Sequence, residues 1–161
     1  CNYVCPMDIN IPQLVYNARA SWPREDRPKG IRGACDAAMK VDSCSAMGLT
    51  SEMFIETVEE ILEEVHDEQE GFENLVAPID KKGAHFFVNQ NSREPQMEPD
   101  EMVPMWKIMQ TVGADWTYGS RGWAAENYCL FLADDEKWEE NVRIKADMVK
   151  ELGCKVWLNT E

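Results

Sequence analysis

The sequence predicts an α/β fold, with short helical pieces first and a parallel sheet flanked by helices after them. Three observations carry that prediction. From residue 84 onward, three apolar runs of strand type alternate with two amphipathic helical stripes. The order strand–helix–strand–helix–strand favours a parallel sheet with helices packed on its faces. Residues 1–50 instead hold short helical stretches broken by Pro and Gly, and one strongly acidic helical stretch separates the two regions.

In residues 1–50, Ile11, Leu14, Val15 and Ala18 fall at helical spacing, and Pro12 suits a first turn. The run Ser21 to Gly33 contains Pro23, Pro28, Gly30 and Gly33 and reads as a loop or linker. Residues 51–83 read as an acidic connecting helix and loop. Ser51 can cap that helix, Phe54, Val58, Ile61, Leu62 and Val65 form one apolar stripe, and Gly71 can stop it. Residues 84–161 hold the sheet. His85-Phe86-Phe87-Val88 reads as a buried strand. Met102, Trp106, Met109 and Val112 share a helical face that Gly113 ends. Asp115-Trp116-Thr117-Tyr118 reads as a second strand. Trp138, Val142, Ala146 and Val149 form another helical stripe, ending at Gly153, and Lys155-Val156-Trp157-Leu158 reads as a third strand. The Met and Trp stripes read as core rather than as cofactor contacts. Ligands on such sheets bind beyond the carboxyl ends of the strands. Those ends are Asn89 to Arg93, Gly119 to Asn127, and Asn159 onward.

The 161 residues suffice for one ordinary domain or two small ones, and a 44% hydrophobic content can build a core. The net charge of -14 argues against nucleic acid as a partner, because phosphates are held by Lys and Arg. The charge is concentrated: residues 41–80 carry 12 acidic and no basic side chains. Those carboxylates read as a solvated helix face or as a docking face for a basic partner. No uncharged stretch exceeds ten residues, against about 20 for a membrane-spanning helix. The chain opens on Cys1 without a basic-then-apolar leader and closes on a strand-like run, so both ends read as cut.

Six cysteines at this density do not suggest a secreted disulfide scaffold, and a reducing compartment is expected. Cys1-Asn2-Tyr3-Val4-Cys5-Pro6 is the strongest chemical signal. It has the spacing of the last two cysteines in the bacterial ferredoxin run, where the fourth thiolate ligates the other cluster. On that pattern Cys1 and Cys5 serve as metal ligands to two different 4Fe–4S clusters. Two helical thiols one turn apart are the plain alternative. Zinc is a third reading, but the spacing is poor for it. Eight residues separate Cys35 from Cys44, which matches no cluster spacing. Those two, Cys129 in its apolar setting and Cys154 read as structural thiols. His66 reads as exposed on the acidic helix, and His85 as a satisfied side chain rather than a ligand. Neither a phosphate loop nor HExxH occurs.

Several segments together resemble the heterodisulfide-reductase D-like iron–sulfur proteins, among them the DsrK subunits of DsrMKJOP membrane complexes. The carriers are CNYVCPMDINIPQ at 1–13, GADWTYGSRGWAAENY at 113–128 and GCKVWL at 153–158. The resemblance runs over nearly the whole chain. It implies that residues 1–50 are the C-terminal part of an α-helical ferredoxin-type domain with two cubane 4Fe–4S clusters, Cys1 and Cys5 among their ligands. It implies that residues 84–161 are a truncated, Rossmann-like first repeat of the cysteine-rich CCG type. Such repeats bind a non-cubane 4Fe–4S cluster. Where the family has Cys-Cys-Gly, this chain has Trp123-Ala124-Ala125-Glu126, and near the end of the first strand it has Val88-Asn89. The repeat is degenerate, so a non-cubane cluster would be ligated mainly outside residues 1–161, and this fragment alone would lack the full active site.

The activity so implied is that of a heterodisulfide-reductase-like oxidoreductase of dissimilatory sulfur metabolism, including sulfate reduction. Such a subunit sits peripherally on the cytoplasmic face of the membrane. It passes electrons between a quinone- and haem-linked membrane subunit and a disulfide or trisulfide on a small DsrC-like protein. The competing expectation is a non-catalytic interaction module whose acidic helix docks a basic partner.

Overall fold

The computed structural model describes residues 6, 7 and 9–160. In chain order the elements are α1 (Ile11–Ala20), α2 (Lys29–Ala38), α3 (Ser51–Glu68), β1 (Phe86–Asn89), α4 (Arg93–Met97), α5 (Val103–Thr111), β2 (Trp116–Thr117), α6 (Tyr128–Leu132), α7 (Asp135–Leu152) and β3 (Val156–Asn159). The three strands form one parallel sheet in the order β2-β1-β3. The α/β class is therefore observed. Among the described residues, no helix is long and apolar enough to cross a membrane.

The register explains which helix covers which face. Phe86 pairs with Trp116 and Val156, and Phe87 with Thr117 and Trp157. Successive strand residues point to opposite faces. Val88, Trp116 and Tyr118 accordingly enter one core with Phe54, Val58, Ile61 and Val65 of α3 and Trp106 of α5. Phe87 points the other way, onto Met148 and Leu152 of α7. The chain thus leaves β1 to one side through α5, then returns past β1 through α7 to reach β3. That reversal creates a crevice at the carboxyl ends of β1 and β3.

Each element has a local cause. The α3 stripe is buried as its periodicity demands, while Glu56, Glu59, Glu60 and Glu63 are exposed. Its cap is Thr50 rather than Ser51: Thr50 Oγ1 accepts from the Met53 N–H at 3.3 Å, and Ser51 donates to Asp42 at 2.8 Å. Helix α7 begins on Asp134, whose side chain caps Lys137 N–H, and stops at Gly153, held at φ 70°. That left-handed conformation suits glycine. Lys29–Ala38, expected as part of a loop up to Gly33, is helical despite Gly30 and Gly33. Burial of Cys35 and Ala38 in a tertiary contact outweighs the propensity cost of the two glycines. The α1 stripe forms a helix as expected, but Ile11, Leu14 and Val15 remain exposed.

Tyr118 ties the larger core together. Its hydroxyl accepts from Trp106 Nε1 at 2.9 Å and donates to Gln90 Oε1 at 2.6 Å. Its ring meets Phe54 and Trp116 edge-on at 5.2 and 5.0 Å, and Trp123 stacks on Phe54 at 4.1 Å. Tyr118→Phe leaves a buried indole N–H and a buried amide oxygen without their partner. It should cost about 2 kcal/mol in urea unfolding with an unchanged m-value; a loss below about 0.5 kcal/mol contradicts that role. Gly119 is confined differently, because a Cβ there would lie 2.7 Å from the Arg121 carbonyl oxygen and 2.8 Å from the Phe87 ring. Gly119→Ala should lower the melting temperature measurably, since one of the clashing atoms is backbone.

Candidate functional site: the carboxyl-edge crevice

The three segments expected at the carboxyl ends of the strands do come together. Asn89 closes β1 and is fully buried. Its amide Nδ2 donates to Gly122 O at 2.6 Å, and its Oδ1 accepts from Trp157 Nε1 of β3. One side chain thus bridges the turn after β2 to the neighbouring strand. Gln90 continues the link through the main chain: its N–H donates to Trp123 O at 2.8 Å, and its carbonyl accepts from Ala125 N–H at 2.8 Å. The segment Trp123-Ala124-Ala125-Glu126 is buried throughout. A loop from the N-terminal region closes it from below, with Gly122 N–H donating to Asp42 O at 2.9 Å and Ala124 N–H to Ser43 O at 3.1 Å.

Beside this turn lies an open cavity of about 330 Å³ lined by Asn127, Trp138, Val142, Lys145, Trp157 and Asn159. Lys145 is 3% exposed. Its stem packs so tightly on Gly122 that a Cβ there would sit 3.3 Å from it. Its Nζ lies 3.4 Å from the Glu126 carbonyl, and Ser92 Oγ donates to the Glu126 carboxylate. The crevice therefore offers amides, an ammonium and two indoles. None of these is a soft donor, so its lining does not fit an iron–sulfur cluster. The expected α7 stripe of Trp138, Val142, Ala146 and Val149 is only partly buried; the helix sinks Asn141, Lys145, Met148 and Leu152 instead. Asn141 and Lys145 one turn apart between Trp138 and Met148 are the signal that hydropathy passed over.

Two of the four described thiols lie together and two apart. Cys1 and Cys5 lie outside the described residues. Cys44 is buried, stands at φ 63°, and its thiol is pushed up to about 11 by burial. Cys154 is half-buried, and burial raises it as well. Cys35 and Cys129 share one apolar cluster with Leu132. All four are free. Among the described residues, no group of three or more His, Cys, Asp or Glu is arranged to hold a metal ion. His66, expected to be exposed, is half-buried and its ring meets the Leu75 carbonyl at 2.7 Å. His85 is exposed and lies edge-on to Phe86 at 4.6 Å.

A charged seam holds the N-terminal helices beside the crevice. Arg24 reaches Asp36 at 2.5 Å and Asp134 at 3.1 Å, and Lys137 reaches Asp36 at 2.6 Å. Arg27 donates to the Leu132 and Ala133 carbonyls at 3.1 and 2.8 Å, and Arg19 to the Phe131 carbonyl at 2.7 Å. These arginines satisfy the orphan carbonyls at the end of α6.

No family model, curated protein or solved structure matches the chain.

Hydrogen bonds from Lys137, then from Arg24, hold the Asp36 carboxyl below its ordinary range. A depressed carboxyl stabilises the fold above the unfolded value of about 3.9, and that contribution fades as pH falls through the folded value. Asp36→Asn should therefore melt below the natural chain at pH 7. The gap should close as pH falls below about 4. A gap that persists unchanged into acid contradicts the ion-pair origin.

Proposed function

We propose that the chain is an iron–sulfur electron-transfer and catalytic subunit of a membrane-associated oxidoreductase of dissimilatory sulfur metabolism. In this reading it passes electrons between a quinone-linked membrane subunit and a disulfide or trisulfide on a DsrC-like protein. It is supported above all by where the resemblance falls. Residues 113–128, its most specific segment, build β2 and the buried turn at the carboxyl edge of the sheet. That edge is where parallel α/β sheets place their ligands.

Cys1 and Cys5 are the thiolates this proposal assigns to 4Fe–4S clusters, which supply one-electron transfer when bound. The described part of the chain then has a supporting task. It seats the N-terminal helices on α6 and α7 through the arginine seam, and it keeps the segment Trp123–Glu126 dry. Disulfide reduction itself is assigned to parts of the same protein outside residues 1–161, because the crevice lining among the described residues holds no thiol. The peripheral, cytoplasmic-face location belongs to the same proposal.

Anaerobically prepared full-length protein should contain iron and acid-labile sulfide and give 4Fe–4S signals by electron paramagnetic resonance after reduction. Cys1→Ser and Cys5→Ser should each lower the iron content. Iron-free protein, or iron content unchanged in both variants, contradicts the proposal.

A second reading rests on α3. Among the described residues, no ion pair engages its carboxylates. An unpaired acidic face suits docking of a basic partner. Charge reversal at Glu56, Glu59, Glu60 and Glu63 should then weaken assembly most at low salt. Unchanged assembly counts against docking.

A further inference from the structure

We propose that Cys35 and Cys129 form a redox-active dithiol that closes to a disulfide between α2 and α6, with a small organic disulfide of the glutathione class as oxidant. The two residues stand 94 positions apart and on different helices. They nevertheless meet in one cluster with Leu132, flanked by Ile31, Met39 and Trp138. Cys129 Sγ lies 3.9 Å from the Cys35 carbonyl oxygen. Among the described residues, Cys44 lies outside this cluster, and Cys154 packs against Phe87, Met148 and Leu152 instead.

The surroundings give the two thiols different tasks. Cys35 is held below the ordinary thiol range, first by the hydrogen bond from Cys129 and then by the nearby Lys137 ammonium. Cys129 is held above that range by its hydrogen bond to Cys35 and by burial. The thiolate is the nucleophile in exchange. Cys35 therefore attacks one sulfur of the oxidant, a mixed disulfide forms, and one thiolate leaves and takes up a proton. Cys129 then gives up its proton and attacks the Cys35 sulfur, expelling the second thiol. In sum, two protein thiols and one organic disulfide become one protein disulfide and two small thiols.

Both sulfurs are buried, so exchange requires a local opening. Helix α6 provides it. It has only five residues, Tyr128 and Phe131 on its outer side are exposed, and Ala133 after it stands at φ 60°. Such short, partly exposed elements open well below the global unfolding free energy. Closure of so long a loop restricts the unfolded chain and raises stability. The crosslink would fasten the N-terminal helices to the sheet unit independently of the arginine seam. This proposal does not depend on the cluster assignment.

The test uses the reduced full chain equilibrated anaerobically in mixtures of reduced and oxidised glutathione. The samples are acid-quenched, alkylated and mapped as peptides without reduction. The expected product is one crosslinked species joining the Cys35 and Cys129 peptides, two hydrogens lighter than the pair. Its melting temperature should exceed that of the reduced chain. Cys129→Ser should trap glutathione on Cys35, and Cys35→Ser should leave Cys129 unmodified. Free, alkylated Cys35 and Cys129 in the most oxidising mixture overturn the proposal, as does scrambled linkage to Cys44 or Cys154. Glutathione on Cys129 in Cys35→Ser overturns the assigned roles. The peptide map and melting shift of the natural chain decide the question even if a serine variant fails to fold.

Discussion

One buried hydroxyl organises the larger core. Tyr118 accepts from Trp106, donates to Gln90 and packs its ring against Phe54 and Trp116. Those partners belong to α5, the end of β1, α3 and β2. Because a buried polar group must keep its hydrogen bonds, the positions of all four are coupled. Gln90 then passes the constraint on. Its main chain pairs with Trp123 and Ala125, and that pairing shapes the turn lining the carboxyl edge. Burial of the Tyr118 ring also pushes its hydroxyl above the ordinary tyrosine range, so it remains protonated and able to donate.

The crevice inherits its chemistry from this arrangement. Asn89 bridges Gly122 to Trp157, and Lys145 lies against the turn. The result is a hydrogen-bonded edge lined by indoles and amides. The N-terminal helices are not a free appendage. Arg19, Arg24 and Arg27 fasten them to the α6–α7 junction, and the loop at Asp42 and Ser43 supports the turn from below.

Much of this was legible in residue spacing. The strands around Phe87, Trp116 and Trp157 and the stripe Phe54–Val65 announced themselves by period and apolar content; of the stripe Met102, Trp106, Met109 and Val112, the first two are fully buried and Val112 is exposed. Gly153 marked the end of α7 through the conformation it alone adopts easily. The parallel order brings the carboxyl ends of the strands together at Asn89, Gly119–Asn127 and Asn159, as the sequence pattern implied. Other features depend on contacts distant in sequence. Helix α2 contains two glycines and forms with Cys35 buried against Cys129 and Leu132 of α6. The inward face of α7 is polar, so the apolar stripe at Trp138 and Val142 pointed one face away from Asn141 and Lys145. Cys35 meets Cys129 across 94 positions, which no local pattern records.

The Tyr118 network should be the most persistent part of the molecule and should carry the carboxyl edge with it. Native-state amide hydrogen exchange measures this directly. The amides of Gln90, Tyr118 and Ala125 should exchange only through global unfolding, while those of α1 and α6 exchange through smaller openings. If Gln90 and Ala125 exchange as fast as α1 while the α3 core remains protected, the edge is not held by Tyr118 and the account fails.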